Sequence, residues 1–174
     1  YDLIISDLEA ALTLASTSRI DKSYYNKNVI HGILARVYLT TEDYDKAAQN
    51  AAAARVGYPL NAAQYTNGNS TMSNDEWIWA MPQRSDQSNY YYGAPHSFAD
   101  HYVTSYAATF FNTDFTSLFS STDVRNIFLN AYRAPESSYR SRISRKWSFS
   151  FASDHILMGS PEMMLIEAEG LART

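Results

Sequence analysis

A run of small residues between His31 and Ala54 constrains the fold of this chain more than any other feature. The segment reads HGILARVYLTTEDYDKAAQNAAAA and carries alanine where a helix normally carries leucine. It fits a helix pair of the tetratricopeptide type, whose repeat is about 34 residues long. Alanine lets two antiparallel helices approach closely, and one aromatic side chain fills the groove between them. The segment therefore predicts a helical scaffold.

The register of this repeat, which spans residues 28–61, gives each small residue a role. Six side chains occupy its large, small and aromatic positions: Leu34, Ala35, Tyr38, Ala47, Ala51 and Ala54. His31 and Ala51 depart from the repeat, which prefers tryptophan and an aromatic residue there. We expect Thr41, followed by two acidic residues, to cap the second helix, and Gly57 with Pro59 to end it.

Helical patterns also stand at both ends of the chain. Apolar residues recur at helical spacing from Tyr1 to Ala15 and again from Met163 to Leu171. The first pattern has no residue before it to cap a helix, and the second has no glycine or proline to stop it. We therefore expect a fragment of a longer protein. These helices are also candidates to cover the repeat, which cannot bury its apolar face alone.

Composition excludes several classes of function. The 174 residues, 45% of them hydrophobic, suffice for one ordinary core, and the net charge of -4 argues against a nucleic-acid partner. The chain has no cysteine, which excludes disulfides, thiolate nucleophiles and cysteine metal sites. No apolar run reaches the roughly 18 residues that a membrane-spanning helix needs. The aromatic content is high, with 14 Tyr, 8 Phe and 3 Trp.

Residues 58–159 contain few strong helix formers and predict loops with short strands. NDEWIWAMPQ predicts a strand whose Trp77 and Trp79 share a face and belong to a core. SYRSRISRKWSF, which alternates basic residues from Arg140 to Lys146, predicts a strand with one solvated face, or a rim that contacts an acidic glycan. The stretch from Phe110 to Phe128 predicts a short helix and turn, with Asp123 and Arg125 ordering the turn.

The stretch RSDQSNYYYGAPHSFADHYV combines the residue types that bind sugars. Sugar rings present apolar faces edged by hydroxyl groups, so a binding site needs flat aromatic rings beside polar groups. Adjacent side chains of an extended segment alternate, so its three consecutive tyrosines cannot all face a core. The candidate ligand-binding residues are Arg84, Asp86, Asn89, Tyr90, Tyr91, Tyr92 and Tyr102. The alternative, in which the tyrosines pack the loop against the scaffold, stays open.

Two other groups of residues invite a chemical interpretation and do not support one. His96, Asp100 and His101 lack the spacing of a helical metal motif. Glu162 and Glu169 lie two turns apart on one predicted helix with no cleft identified, whereas a glycosidase needs two carboxylates that flank the scissile bond. We predict no catalytic residue, no cofactor and no metal site.

The order of these motifs resembles the SusD/RagB family of outer-membrane nutrient-binding lipoproteins of Bacteroidetes. The resemblance is carried by the alanine-rich repeat with LARVYL, by Asp123 and Arg125 of DVR, and by SPEMMLIEAE, read in this order. One position departs from the family, which commonly has arginine three residues before the glutamate that matches Glu162. This chain has Gly159 there, which puts a structural ion pair in doubt.

The resemblance implies a mainly α fold: tetratricopeptide-like helix pairs in an α-α superhelix, with a loop-rich insertion that carries short strands. It implies one partial domain, with a scaffold at 1–57, a ligand-facing section at 58–159 and a further scaffold helix from 160 to 174. In glycan-binding members, the loop after the short strand contributes a stacking aromatic residue.

The function that the resemblance implies is non-catalytic. Such a protein binds glycans, or peptides in some members, at the cell surface and delivers them to a SusC-like TonB-dependent transporter. Its lipid-bearing cysteine would lie outside this chain. The alternative is a tetratricopeptide-type adaptor that holds a peptide in its helical groove.

Overall fold

The computed structural model describes residues 1–66, 69–84, 86, 110–130, 142–147 and 153–174. In this part of the chain, five α-helices and one 3-10 turn are found: α1 Asp2–Leu14, α2 Lys27–Thr40, α3 Tyr44–Ala54, α4 Thr113–Thr116, α5 Ser160–Arg173 and the turn Ala62–Gln64. The strands there are β1 Trp77–Met81, β2 Phe128–Asn130, β3 Arg142–Ser144 and β4 His155–Gly159. The predicted mainly α fold with short strands is confirmed.

The chain forms two structural units. The helical unit comprises Tyr1–Leu60, Asp75–Met81 and Ile156–Thr174, and the loop unit comprises Asn61–Asn74 and Pro82–His155. The prediction of a single partial domain with boundaries at 57/58 and 159/160 stays a prediction.

The helix pair α2 and α3 has the predicted small-residue interface. Four alanines of this pair have no exposed surface: Ala35, Ala47, Ala51 and Ala54. Tyr38 is 2% exposed and fills the space that the alanines leave. At His31, where the repeat prefers tryptophan, Nδ1 lies 2.8 Å from Asn50 Oδ1, so a polar contact between the helices replaces an apolar one. Gly57, just past α3, has a φ of 86°, which suits glycine.

The predicted cap of α3 is wrong by two residues. Thr41 ends α2, where its hydroxyl donates to backbone carbonyls, and Asp43 caps α3 by accepting from Lys46 N at 3.2 Å. The cause is the connector: Glu42 takes the left-handed conformation with a φ of 63°, which makes Tyr44 the first helical residue. The short acidic side chain of Asp43 then satisfies an otherwise unpaired N–H of the first turn.

The helices at the two ends of the chain both lie in the helical unit. Four side chains of α1 pack partly buried against the core, and so does Ala15 directly after the helix. The four in α1 are Ile5, Leu8, Ala11 and Leu12. From α5, Met163 and Ile166 enter the same core. Both helices therefore pack against the repeat, α1 through partly buried side chains and α5 through buried ones, whereas Tyr1, Ile4 and Leu171 of the predicted patterns are exposed.

Close packing in this unit depends on two glycines. A Cβ on Gly170 of α5 would lie 2.7 Å from Tyr44 O and 2.9 Å from Ala48 Cβ of α3. A Cβ on Gly32 of α2 would overlap the side chain of Met158 in β4. At both glycines an added Cβ would lie closer to its neighbours than van der Waals contact allows. Each site therefore accepts only glycine unless the neighbouring atoms move.

Strand β1 pairs with β4 in a two-stranded sheet of the helical unit. Trp77 is 1% exposed and Ile78 has no exposed surface, so side chains on both faces of β1 are buried. Trp79 packs partly buried against the core, and its Nε1 donates to Ser23 O at 3.3 Å. The predicted strand is confirmed, and both tryptophans belong to the protein interior, as expected.

In the loop unit, β2 and β3 form an antiparallel pair. The paired residues are Phe128 with Ser144, Leu129 with Ile143, and Asn130 with Arg142. The strand predicted within the basic stretch is confirmed, but one part of that prediction is wrong. Ser144, expected on a solvated face, is only 4% exposed, and its Oγ accepts a hydrogen bond from Lys146 N. The chain bends after β3, and this hydrogen bond joins the bend to the serine.

Candidate functional site

The structure describes two of the seven predicted ligand-binding residues. Arg84 Nη2 donates to Asp86 Oδ2 at 3.1 Å, and Arg84 Nε donates to Asp86 Oδ1 at 3.2 Å. Both side chains are more than half exposed, so this pair adds little to stability and its polar groups are accessible to a ligand. The other predicted residues lie outside the described residues: Asn89, Tyr90, Tyr91, Tyr92 and Tyr102.

Asp154 fixes the backbone just before the predicted ligand-binding segment, which runs in sequence from Arg84 to Tyr102. Its Oδ1 accepts from Gln83 N at 2.9 Å, and its Oδ2 accepts from Met72 N at 2.7 Å. Its own N–H donates to Ser70 O at 3.0 Å. One carboxylate thus fixes the backbone directly before Arg84. The role of Asp154 could not be predicted from the sequence, because 71 residues separate it from Gln83 and no local pattern joins them.

A second ligand-type surface, the Arg142 pocket, lies in the loop unit, and Arg142 belongs to the basic stretch for which a rim that contacts an acidic glycan was one of two expectations. It is a cavity of about 400 Å³, and ligand pockets commonly measure about 300–1,000 Å³. Its lining residues are Thr113, Thr116, Ser117, Asn126, Phe128 and Arg142. Hydroxyl groups, an amide and a guanidinium group beside an aromatic ring are the groups that a sugar requires.

An aromatic cluster supports this pocket. The ring centroid of Phe128 lies 5.0 Å from that of Phe111 and 5.4 Å from that of Phe119, and Phe115 packs on the same rings. Such tilted and edge-on contacts are favourable for aromatic pairs. Several phenylalanines at mixed spacing were the signal for this cluster, but the sequence did not show that one ring would line a pocket.

The turn that precedes β2 is ordered by Asp123 and Arg125, as the sequence predicts. Asp123 Oδ1 accepts from Arg125 N at 2.8 Å, and Oδ2 accepts from Arg125 Nη2 at 2.7 Å. These hydrogen bonds, the side-chain ones first, lower the pKa of Asp123 to about 2. The same guanidinium lies 5.2 Å from the ring centroid of Phe119, so the turn also contacts the aromatic cluster.

Two groups of residues were considered in the sequence, one as metal ligands and one as catalytic carboxylates. His96, Asp100 and His101 lie outside the described residues, and the described ones contain no group of three or more metal-binding side chains. Each of the two glutamates pairs with an arginine: Glu162 Oε1 lies 2.6 Å from Arg36 Nε, and Glu169 Oε1 lies 2.9 Å from Arg173 Nη2.

Among the helices that the structure describes, none combines the length and the hydropathy that a membrane span requires.

The helical unit has a groove of its own, the α1 groove, with a volume of about 470 Å³. Its lining residues are Asp2, Ile5, Ser6, Glu9, Tyr38, Thr41, Asp43 and Lys46. Three carboxylates face one ammonium group there, so the groove is acidic. Tyr38 donates its hydroxyl hydrogen to Glu9 Oε1 at 2.7 Å; burial, then this bond, raise the pKa of Tyr38 to about 12.

Known structures with the same fold are SusD-like proteins. The chain is similar to a SusD-like carbohydrate binding protein from Bacteroides vulgatus ATCC 8482, with 27% identity, a TM-score of 0.77, and coverage of 97% of this chain and 38% of that one. A SusD superfamily protein from Bacteroides thetaiotaomicron VPI-5482 has 18% identity and a TM-score of 0.73, with coverage of 97% and 41%. A SusD-like protein from Bacteroides fragilis NCTC 9343 has 16% identity and a TM-score of 0.59, with coverage of 98% and 48%.

These likenesses extend over nearly the whole of this chain but less than half of each known structure. No protein-family model and no curated protein matches the sequence. At 18% and 16% identity the second and third likenesses concern the fold, whereas the first combines fold with closer sequence similarity. The predicted resemblance is supported by these structural neighbours, whose SusD-like fold the chain shares.

Proposed function

We propose that this protein binds glycans at a bacterial cell surface without cleaving them and delivers them to a SusC-like TonB-dependent transporter of the outer membrane. The observation that carries the proposal is the similarity to a SusD-like carbohydrate binding protein across 97% of the chain. In this account a lipid on a cysteine outside the chain attaches the protein to the outer membrane.

The chemistry of the loop unit supports a sugar ligand. The predicted segment begins with the accessible Arg84 and Asp86 and continues into three consecutive tyrosines. Polar groups at fixed positions beside aromatic rings bind the hydroxyl groups and the apolar faces of a sugar. Asp154 would limit the freedom of this segment before binding, and a preorganised site loses less entropy on association.

The test is a glycan array, with a peptide library presented on the same surface. We expect retention of the protein by one class of polysaccharide and no peptide signal. Retention by peptides without any glycan signal would contradict the proposal.

The predicted segment has its own test. Replacement of Tyr90, Tyr91 and Tyr92 by alanine should lower affinity for the retained glycan at least about tenfold, since stacked rings contribute about 1–3 kcal/mol each. The control is Tyr24→Ala, an exposed tyrosine of the helical unit, which should bind as the parent does. A folded triple variant with unchanged affinity would remove the tyrosines from the site.

The α1 groove favours a second candidate function, a peptide-binding adaptor. Its three carboxylates and one ammonium group would attract a basic peptide. The variant Asp2→Asn removes one of these charges at the first helical residue of α1. Weaker binding of a Lys-rich peptide by this variant than by the parent would favour the adaptor, and equal binding would oppose it.

A further inference from the structure

We propose that the Arg142 pocket binds an acidic sugar residue, with the carboxylate or sulfate ester of that residue paired to the guanidinium of Arg142. The proposal rests on the glycan-binding function above and specifies the class of glycan. It concerns a surface that the predicted segment from Arg84 to Tyr102 does not include.

The charge of the pocket is the first argument. Five arginines in the described ranges pair with a carboxylate: Arg36, Arg55, Arg84, Arg125 and Arg173. Arg142 forms no such pair there; its Nη1 donates to the neutral amide oxygen of Asn130. Among the residues that the structure describes, the six that line the pocket include no acidic one. The pocket therefore holds a positive charge that a ligand anion can neutralise.

The hydrogen-bonding groups around Arg142 are the second argument. Asn126 Nδ2 donates to Phe119 O and Ser120 O, which leaves its Oδ1 as an acceptor. The hydroxyl groups of Thr116 and Ser117 donate to backbone carbonyls at 2.9 and 2.7 Å, so their oxygens also keep acceptor capacity. Sugar hydroxyls can donate to these oxygens, whereas an anion can accept only from a donor such as Arg142.

The pocket is also preorganised, because its lining residues are fixed by strand pairing and by the aromatic cluster. Arg142 lies opposite Asn130 in the β2–β3 pair, and its carbonyl oxygen accepts from Phe111 N at 2.9 Å. Phe128, whose ring can stack on the apolar face of a sugar, lies within the aromatic cluster. The cation and the ring thus project from fixed backbone, and a guanidinium can bind a carboxylate or sulfate with two parallel hydrogen bonds.

The test measures affinity by calorimetry for three matched probes. Tetragalacturonate carries carboxylates, its full methyl ester carries none, and a chondroitin sulfate tetrasaccharide carries sulfate esters as well. We expect binding of at least one anionic probe and at least about tenfold weaker binding of the methyl ester, because the ester offers the guanidinium no charged acceptor. Binding of tetragalacturonate would assign a carboxylate as the anion that pairs with Arg142, because this probe carries no sulfate ester.

Variants locate the effect. Arg142→Gln should weaken binding of the anionic probe at least about tenfold, and Arg142→Lys should weaken it less, since the charge stays but the paired hydrogen bonds are lost. The matched control is Arg145→Gln. Arg145 is an exposed arginine three residues after Arg142, and its replacement should change affinity less than about twofold. Circular dichroism and the melting temperature verify that each variant is folded.

A measurement on the parent protein complements the variants. Affinity for the anionic probe should fall as NaCl is added, and affinity for a neutral glycan should not. Equal affinity for tetragalacturonate and its methyl ester, or an Arg142→Gln variant that binds the anionic probe as the parent does, would overturn this inference. Either result, with a neutral glycan still bound, would leave the glycan-binding function standing; a protein that binds no glycan would fail both.

Discussion

Arg36 of α2 and Glu162 of α5 form a two-pronged ion pair. Nε lies 2.6 Å from Oε1, and Nη2 lies 2.7 Å from Oε2. Arg36 Nη2 also donates to Leu157 O at 2.7 Å. The family resemblance leads one to expect an arginine at position 159, where this chain has glycine. Glu162 nevertheless has its guanidinium partner, supplied by a helix 126 residues away in sequence.

Breaking this ion pair should destabilise the protein modestly. Both side chains are about two-fifths exposed, so solvent screens the charges, and Arg36→Gln or Glu162→Gln should each cost about 1 kcal/mol of unfolding free energy. Their double-mutant cycle in urea should give a coupling of about 0.5–1 kcal/mol that falls with added salt. The Arg173–Glu169 pair of α5, whose side chains are 54% and 43% exposed, is the control, with a smaller expected coupling. Additive effects at Arg36 and Glu162 would contradict the structure.

The α3–α5 contact predicts an unusual result for Gly170→Ala. Helix propensity alone favours alanine by about 1 kcal/mol. The added Cβ would meet Tyr44 O and Ala48 Cβ, and overpacking of this kind costs about 1–3 kcal/mol, so we expect net destabilisation. At the exposed Ala168 on the same helix, Ala168→Gly should cost about 1 kcal/mol by propensity alone. A Gly170→Ala variant more stable than the parent would show that the helices are not in this contact.

Tyr38 contributes a stability that the protein loses at high pH. Its pKa is about 12 against an ordinary value of 10, so the folded state favours the neutral phenol. This contribution is fully present below pH 10 and is lost as the pH rises from 10 towards 12. Tyr38→Phe removes both this dependence and the hydrogen bond to Glu9, at a cost of about 1 kcal/mol near neutral pH. Urea unfolding of both proteins at several pH values tests this; identical pH profiles would contradict it.

Asp123 should titrate at unusually low pH. Arg125 holds its pKa at about 2, so its contribution to stability is present above the ordinary pKa of 3.8 and is lost as the pH falls towards 2. Carbon-detected NMR of the carboxyl group measures this value directly. In an Arg125→Gln variant the pKa of Asp123 should rise towards 3.8. An unchanged Asp123 pKa would show that Arg125 is not its partner.

The helical repeat was predictable because its information is local. Alanines at fixed spacing determine how closely two helices can approach, and Tyr38 lies in the groove as the pattern indicates. The cap was misplaced because Thr41 and Asp43 are both good capping residues, and only the left-handed conformation of Glu42 decides between them. The partner of Glu162 was missed because it comes from a distant helix.

The candidate site was less predictable, since it depends on contacts across long separations. Asp154 reaches Gln83 across 71 residues, and the Arg142 pocket needs β3 to pair with β2. The composition of the predicted segment indicated sugar chemistry, but composition does not determine which residues share a surface. All seven predicted ligand-binding residues therefore remain predictions from the sequence.

Binding without cleavage is tested by electrophoresis of the protein through gels that contain a polysaccharide, with the polysaccharide recovered and sized afterwards. We expect one polysaccharide to retard the protein in proportion to its concentration and to be recovered at its original chain length, as a binding protein without hydrolytic activity requires. Unchanged mobility with every polysaccharide, or recovery of shortened chains, would contradict it.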